Sequence, residues 1–252
     1  MSASPRFRLL FEGLVDLVYP RGCPGCERRL PDAADWLCPD CHRALRTASP
    51  FVARARLTGK PVATPPMAWA AAGWWYEPES PLRGILHQLK YLNRRELGLP
   101  LGELLATAIA DDLRRFDPSP VLVPVPLGRV RYLERGYNQA ALIARGLARA
   151  GLGAVDTALL GRTRETRPQT ALPRGDRAAN VAGAFTVLSG DSPTDRTIVL
   201  VDDVCTTGST LKAAAAVLTQ AGYGPVGALS CGLARLRSEP ASGPDTGRSP
   251  YL

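Results

Sequence analysis

Residues 198–210 read IVLVDDVCTTGST, an apolar run that ends in two aspartates and passes at once into a Thr/Gly/Ser turn. Ile198, Val199, Leu200 and Val201 have no polar interruption, which predicts a strand buried on both faces of a parallel sheet. Asp202 and Asp203 follow at its carboxyl end, the edge where open α/β sheets place their ligands. Thr206, Thr207, Gly208, Ser209 and Thr210 offer backbone N–H groups, small hydroxyls and a glycine that admits close approach, all at the positive end of an Ala-rich helix. That combination suits a phosphate. Two carboxylates beside it would repel a bare phosphate and more naturally accept hydrogen bonds from sugar hydroxyls, so the pattern points to a ribose 5-phosphate unit. The same residues also fit an ordinary strand-to-helix connection with a capped helix. The complete string is far more specific than an aspartate or a glycine turn alone.

The 252 residues suffice for one sizeable α/β core with a small appendage. The formal net charge of +8, from 31 Lys+Arg against 23 Asp+Glu, points to an anionic partner, either a pyrophosphate-bearing substrate or a nucleic acid. A GC-rich coding bias would produce part of the same arginine excess. Glu12, Gly13 and Asp16 interrupt the apolar residues near the start, so no secretory signal is expected. The longest apolar run, around residues 67–76, is too short to span a bilayer. The expectation is a cytoplasmic protein without membrane insertion. Six cysteines in such a chain favour metal or thiol chemistry over disulfides.

Cys23, Cys26, Cys38 and Cys41 form two Cys-x-x-Cys pairs with eleven residues between them. Each pair can direct both sulfurs to one ion, and two such knuckles complete a tetrahedral thiolate shell for zinc. Gly22, Pro24, Gly25 and Pro39 suit the tight turns, with Gly22 and Gly25 able to offer N–H groups to the sulfurs. Four ligands leave no open position, so the site is expected to be structural, with metal binding and local folding coupled. Cys38-Pro39-Asp40-Cys41-His42 also has haem-attachment spacing, but the upstream knuckle and the missing export signal favour zinc. Cys205, in the turn, and Cys231, in an apolar stretch, are read as packing residues.

Residues 6–18 have the apolar spacing of an amphipathic helix, and residues 47–66 form a basic, Pro-bearing connector. A strand is expected over 69–76, helices over 81–91 and 97–116, and a strand over 121–125. Pro126, Leu127 and Gly128 then lead into a basic loop with Arg129, Arg131 and Arg135, before a helix opened by Gly136-Tyr137-Asn138-Gln139 and running to about residue 150. Taken alone, that loop reads as a solvated charge run; beside the phosphate turn it becomes a second anion cradle, since arginines fork onto phosphate oxygens. Residues 161–177 are Arg- and Thr-rich with Pro168, Pro173 and Gly175, which predicts a long mobile loop of the lid type. A final strand is expected over 226–233, and a disordered tail over 237–252. Strands alternating with helices indicate a mostly parallel sheet. His42 borders the knuckle and His87 is expected to be half-buried on its helix.

Several motifs occur in order: the four-cysteine knuckle, Leu89-Lys90-Tyr91, Val123-Pro124-Val125-Pro126-Leu127, Arg135-Gly136-Tyr137-Asn138-Gln139, Thr166 with Gln169 and Leu172, Arg177 with Asn180, Val181, Gly183 and Phe185, and Val201-Asp202-Asp203-Val204 with Thr206-Thr207-Gly208. The last resembles the sugar-phosphate motif of type I phosphoribosyltransferases, which use phosphoribosyl pyrophosphate (PRPP). Together, over about residues 12–235, they resemble the ComF family of phosphoribosyltransferase-like proteins, linked to DNA uptake in naturally competent bacteria. The resemblance implies an α/β, type I phosphoribosyltransferase-like fold with a helix and a four-cysteine zinc element over 1–50 and the main domain over 66–236. It implies that Asp202 and Asp203, the catalytic pair, contact the ribose hydroxyls while Thr206, Thr207, Gly208, Ser209 and Thr210 hold the 5-phosphate. Pro126, Leu127, Arg129, Arg131 and Arg135 would form the pyrophosphate loop, and Arg164, Thr166, Arg167 and Gln169 would belong to the flexible catalytic loop. The implied reaction is Mg²⁺-dependent transfer of phosphoribose from PRPP to an acceptor, a glycosyltransferase (pentosyl-transfer) activity. Members acting on 6-oxopurines carry an acidic base where this chain has Thr206, so hypoxanthine or guanine salvage is not expected. The alternative implied by the family is a non-catalytic nucleotide- and single-stranded-DNA-binding factor acting with a competence helicase.

Overall fold

The computed structural model describes residues 21–31, 33–48, 53, 56, 67–114, 116, 119–163, 183–188 and 196–235. The helix expected over 6–18, the loop residues Arg164, Thr166, Arg167 and Gln169, and the tail over 237–252 lie outside the described residues. In chain order the elements are α1 (Pro39–Ala44), β1 (Trp69–Tyr76), α2 (Pro81–Tyr91), a 3₁₀ turn (Arg95–Leu97), α3 (Gly98–Arg114), β2 (Val121–Pro124), α4 (Arg129–Arg135), α5 (Gln139–Arg149), β3 (Ala154–Val155), β4 (Leu160–Arg162), β5 (Phe185–Val187), β6 (Ile198–Cys205), α6 (Ser209–Gln220) and β7 (Val226–Ala234).

β6 lies inside a five-stranded sheet of order β1-β7-β6-β2-β3, in which every pairing is parallel. Its uninterrupted apolar start follows from having two covered faces. Val199 and Val201 pack with Leu101, Leu105, Ile143 and Leu147 of α3 and α5, while Ile198 and Leu200 pack with Leu211, Ala214 and Leu218 of α6. Successive residues of a strand point to opposite faces, so any polar residue among these four would be buried. The register sets Asp202 beside Ser230 of β7 and Val201 beside Pro124 of β2. The carboxyl ends of β6 and β2 thus adjoin.

α3 and α5 touch backbone to backbone. A Cβ on Gly102 would stand 2.2 Å from the Ile143 carbonyl oxygen, and one on Gly146 would stand 2.3 Å from that of Leu99. This close approach fixes α5, which carries Gln139, against α3.

The cysteine segment is stitched to the free edge of β1. Thr47 forms an antiparallel bridge with Trp74, the Trp75 N–H donates to the Arg46 carbonyl at 2.8 Å, and the Ala48 N–H donates to that of Gly73 at 3.0 Å. Cys23, Cys38 and Cys41 share a buried cluster with Leu82, Ile85, Leu86 and Leu89 of α2. Among the described residues no helix is long and apolar enough to cross a membrane.

Four expectations change. The basic loop is the seven-residue helix α4, running from Gly128 to a left-handed Gly136 at φ 74°; it buries none of its residues and so carries no apolar periodicity. Gly161 and Arg162, expected at the start of a mobile loop, belong to β4, paired antiparallel with β5. That pairing joins segments far apart in sequence, which no local pattern reports. Cys205 closes β6 instead of lying in the turn, and His87 is exposed, its ring 5.2 Å from that of Tyr91.

Candidate functional site

The carboxyl ends of β6 and β2 open on a cleft of about 500 Å³, within the range of small-molecule sites. Asp202 and Asp203 form its floor. Tyr76, Lys90 and Tyr91 line it from β1 and α2, Arg131, Glu134 and Arg135 from α4, Gln139 from α5, and Arg162 from β4. Val125, Pro126, Leu127, Val204, Thr206 and Thr210 complete the wall. Arg129 is exposed and is not among the lining residues. Beside the cleft, Asp202, Thr206, Gly208, Ser209 and Thr210 enclose a hollow of about 20 Å³ at the start of α6.

The turn before α6 is built by its own side chains. Gly208 takes φ 76°, a left-handed conformation natural to glycine, and the Ser209 N–H donates to Thr207 Oγ1 at 3.4 Å. The Thr207 hydroxyl lies 3.1 Å from Ser209 Oγ. Arg56 donates to the Thr206 carbonyl at 2.9 Å and to the Ala234 carbonyl at 2.6 Å, tying the turn to the end of β7.

The two aspartates differ electrostatically. Asp203 is 8 % exposed on its side chain and receives the Lys90 ammonium at 2.7 Å and the Gln139 amide at 2.9 Å. Burial alone would raise its pKa, but the Lys90 charge and hydrogen bond, followed by Gln139, hold it below the usual carboxylate range. The converse holds for Lys90, where burial is outweighed by Asp203 and the ammonium is kept protonated. Asp202 is pushed up to about 7, first by burial and then by the charge of Asp203. Its Oδ1 accepts the Asp203 N–H at 2.9 Å. One aspartate is therefore fixed as a carboxylate while the other exchanges a proton near neutrality.

The helix openings place these partners. Ser80 caps α2 by accepting the Leu82 N–H at 3.2 Å, and Asn138 caps α5 by accepting the Ala140 N–H at 3.0 Å. The Asn138 amide also donates to the Val125 carbonyl at 2.9 Å, locking the start of α5 to the end of β2. Arg135 donates to Gln139 Oε1 at 2.9 Å and lies 5.3 Å above the Tyr91 ring. Lys90, Gln139 and Arg162 join the site beyond the residues expected from the sequence. Lys90 and Gln139 do sit in the Leu89-Lys90-Tyr91 and Arg135–Gln139 motifs, which was the available signal; Arg162 had none.

The four expected metal ligands converge. The sulfurs of Cys23, Cys26, Cys38 and Cys41 all lie within 4.8 Å of one another, and those of Cys26 and Cys38 are 3.8 Å apart. A tetrahedral Zn–S shell at about 2.3 Å has S···S edges of about 3.8 Å. The donor set and its spacing fit a structural zinc ion. Backbone N–H groups reach sulfur from Cys38, to Cys23 Sγ at 3.5 Å, and from Cys41, to Cys38 Sγ at 3.4 Å, and Arg28 hydrogen-bonds Cys26. Gly25 serves space instead, since a Cβ there would stand 2.8 Å from Cys41 Sγ.

No family model matches the chain. It is 30% identical over 221 residues to the DNA utilization protein YhgH of Escherichia coli K12, covering 83% of this chain and 96% of that protein. It is 33% identical over 208 residues to YhgH of Salmonella typhi, covering 81% and 86%, and 30% identical over 214 residues to competence protein F of Haemophilus influenzae, covering 79% and 91%. Among solved structures, adenine phosphoribosyltransferase of Leishmania tarentolae aligns at 16% identity and TM-score 0.32, over 82% of this chain and 90% of that one. The Trypanosoma brucei enzyme in complex with AMP, pyrophosphate and ribose-5-phosphate aligns at 13% identity and TM-score 0.33, over 88% and 90%. These scores are too low to bear on the fold. Sequence identity of this level, sustained over about four fifths of the chain and most of each relative, places the protein in the competence protein F family, ComF, together with the YhgH proteins.

Proposed function

We propose that the cleft binds a phosphoribose ligand, PRPP or a ribose 5-phosphate nucleotide with Mg²⁺, and transfers its phosphoribosyl group to an acceptor nucleophile. The observation that supports this reading is the shared cleft: the aspartate pair, Thr206 and Thr210 from the two ends of the glycine turn, and Arg131, Arg135 and Arg162 all line one space, with Gly208 and Ser209 in the adjoining hollow. Asp202 and Asp203 would accept the ribose hydroxyls, and the residues of 206–210 would hold the 5-phosphate with backbone N–H groups and the helix dipole. The arginines would take the pyrophosphate. In the transfer, the bond from the anomeric carbon to pyrophosphate oxygen breaks with its electron pair leaving on pyrophosphate, a lone pair of the acceptor forms the new bond to that carbon, and the acceptor's proton passes to solvent. Positive charge developing on the sugar ring is favoured by the adjacent carboxylates. A bound Mg²⁺ would supply charge neutralisation for the departing group. The names of the relatives, DNA utilization protein and competence protein F, support a link between this proposed chemistry and the use of DNA.

Calorimetry with PRPP and Mg²⁺ on wild type and Asp203→Asn tests the reading, with pyrophosphate release across a panel of nucleobases as the second measurement. Binding that weakens by about tenfold or more in the variant is expected, from losing a charge-assisted hydrogen bond worth about 1.5–3 kcal/mol. Equal affinity in the two proteins, or none in either, would sink it.

A binding-only role is favoured by one further observation. Tyr91, Leu92, Val130, Tyr132 and Leu133 are more than half exposed, on α4 and the end of α2 among arginines, as a platform for single-stranded DNA would be. It predicts single-strand affinity that falls steeply with salt, and tight PRPP binding without turnover on any acceptor.

A further inference from the structure

Lys90 is held from two directions. Its ammonium lies 2.7 Å from Asp203, and the helix that carries it, α2, is seated on the cysteine knuckle. A Cβ on Gly84 of α2 would stand 2.7 Å from the Pro24 carbonyl oxygen and 3.0 Å from that of Gly25. Gly25 in turn is packed so that its own Cβ would meet Cys41 Sγ at 2.8 Å and Pro81, the first residue of α2, at 3.0 Å. Gln88, buried at 7 % exposure, donates to the Pro24 carbonyl at 3.1 Å and accepts from Arg94 at 2.8 Å. Pro24 and Gly25 are the two residues inside the first Cys-x-x-Cys, the backbone that a four-sulfur metal site fixes most directly. On the opposite side the Tyr137 hydroxyl donates to the Leu89 carbonyl, next to Lys90.

We propose that the cysteine knuckle is a positioning element for the cleft: it fixes α2 through Gln88 and Gly84, and α2 delivers the Lys90 ammonium to Asp203. The physical need is plain. A lysine side chain has many rotamers to lose when it is held in one place, and its hydrogen bond to a carboxylate is lost once the partners separate beyond about 3.5 Å. A displacement of α2 by less than one helical turn is therefore enough to free the ammonium and leave Asp203 buried with Gln139 alone. Gln88 is the link because it is the buried side chain of α2 that bonds directly to the knuckle backbone, two residues from Lys90. The consequence for phosphoribose binding rests on the reading of Asp203 as the ribose carboxylate; the mechanical link from knuckle to Lys90 does not.

The chain has only three lysines, Lys60, Lys90 and Lys212, so residue-resolved labelling with an amine-acylating reagent, read by mass spectrometry with Lys212 as reference, reports Lys90 directly. The full-length zinc-loaded protein is compared with the same protein after chelation and with Gln88→Ala, which keeps all four cysteines and Lys90. Both treatments are expected to raise the relative labelling rate of Lys90 about fivefold, the loss of one hydrogen bond of about 1 kcal/mol, with zinc content unchanged in Gln88→Ala. Arg94→Ala, at a more exposed side chain, moves labelling the same way by less and serves if Gln88→Ala does not fold. Mg²⁺–PRPP affinity falls by a similar factor in Gln88→Ala and in Lys90→Met, is largely kept in Lys90→Arg, and falls no further in the Gln88→Ala/Lys90→Met double variant. Labelling of Lys90 unmoved by both chelation and Gln88→Ala, or affinity losses that add in the double variant, would overturn the proposal. A wild type that binds no PRPP overturns the phosphoribose reading, while the labelling still decides the link from knuckle to Lys90.

Discussion

Lys90→Met removes the ammonium from a carboxylate that has almost no access to water. The paired side chains are 17 % and 8 % exposed, and breaking such a pair from one side costs about 3–5 kcal/mol. Gln139 still donates at 2.9 Å, which offsets about 1 kcal/mol, so a loss of about 2–4 kcal/mol is expected at pH 8. The pH dependence gives the reasoning its edge. In wild type, Asp203 is held below its usual range, so its contribution is present above the unfolded value of about 3.9 and is lost as pH falls through the lower folded value. In the variant, burial without the ammonium pushes Asp203 up. The folded state then binds more protons than the unfolded state above about pH 4, and stability falls as pH rises through the new folded value. Asp202, already near 7 and lowered in part by the Lys90 charge, moves the same way. Urea unfolding at pH 5, 6.5 and 8 should therefore show a penalty that grows with pH, and Lys90→Met/Asp203→Asn should be more stable than Lys90→Met at pH 8. A penalty below about 1 kcal/mol at every pH, or a double variant no better than the single, would refute the assignment of this pair as a buried, mutually sustaining ion pair.

Three further outcomes are expected. Gly146→Ala places a Cβ 2.3 Å from the Leu99 carbonyl oxygen and 2.7 Å from Gly102 Cα, so denaturant unfolding should register a loss of about 1–3 kcal/mol from overpacking between backbones. Because Asp202 sits at about 7, Mg²⁺–PRPP affinity should rise between pH 6 and 8 as its carboxylate becomes available to accept from ribose; calorimetry across that range should show the rise in wild type and a flatter profile in Asp202→Asn, where only the titration of the ligand remains. Metal analysis should find one zinc ion per chain, and Cys26→Ser or Cys38→Ser should lower that content together with the melting temperature, because binding and local folding of this segment are coupled.

The legible parts of the fold were those written in local pattern. β1 and α2 coincide with the expected 69–76 and 81–91, because the strand is apolar on both faces and the helix has a Ser-Pro start with a regular buried stripe. α4 escaped because it has no buried face to announce it. β4 and β5 escaped because three-residue strands are defined by their partner and not by their own sequence. Of the residues expected from chemistry and spacing, the aspartates, Thr206, Thr210, Arg131 and Arg135 line the cleft, whereas Arg129 is exposed and outside its lining, since a helix turns neighbouring positions to different sides.

The sequence by itself determined that a buried strand carries two carboxylates towards its carboxyl end, before a phosphate-type turn, and that four cysteines have metal spacing, since both are patterns within single short segments. Only the tertiary structure decided that Lys90 and Gln139 fasten Asp203, that Asp202 is the partner left near neutral pKa, and that the knuckle bears on the helix holding Lys90. Those facts depend on side chains 64 to 113 residues apart meeting in a space with little water, and the pKa of a carboxylate is set by that meeting, not by its neighbours along the chain.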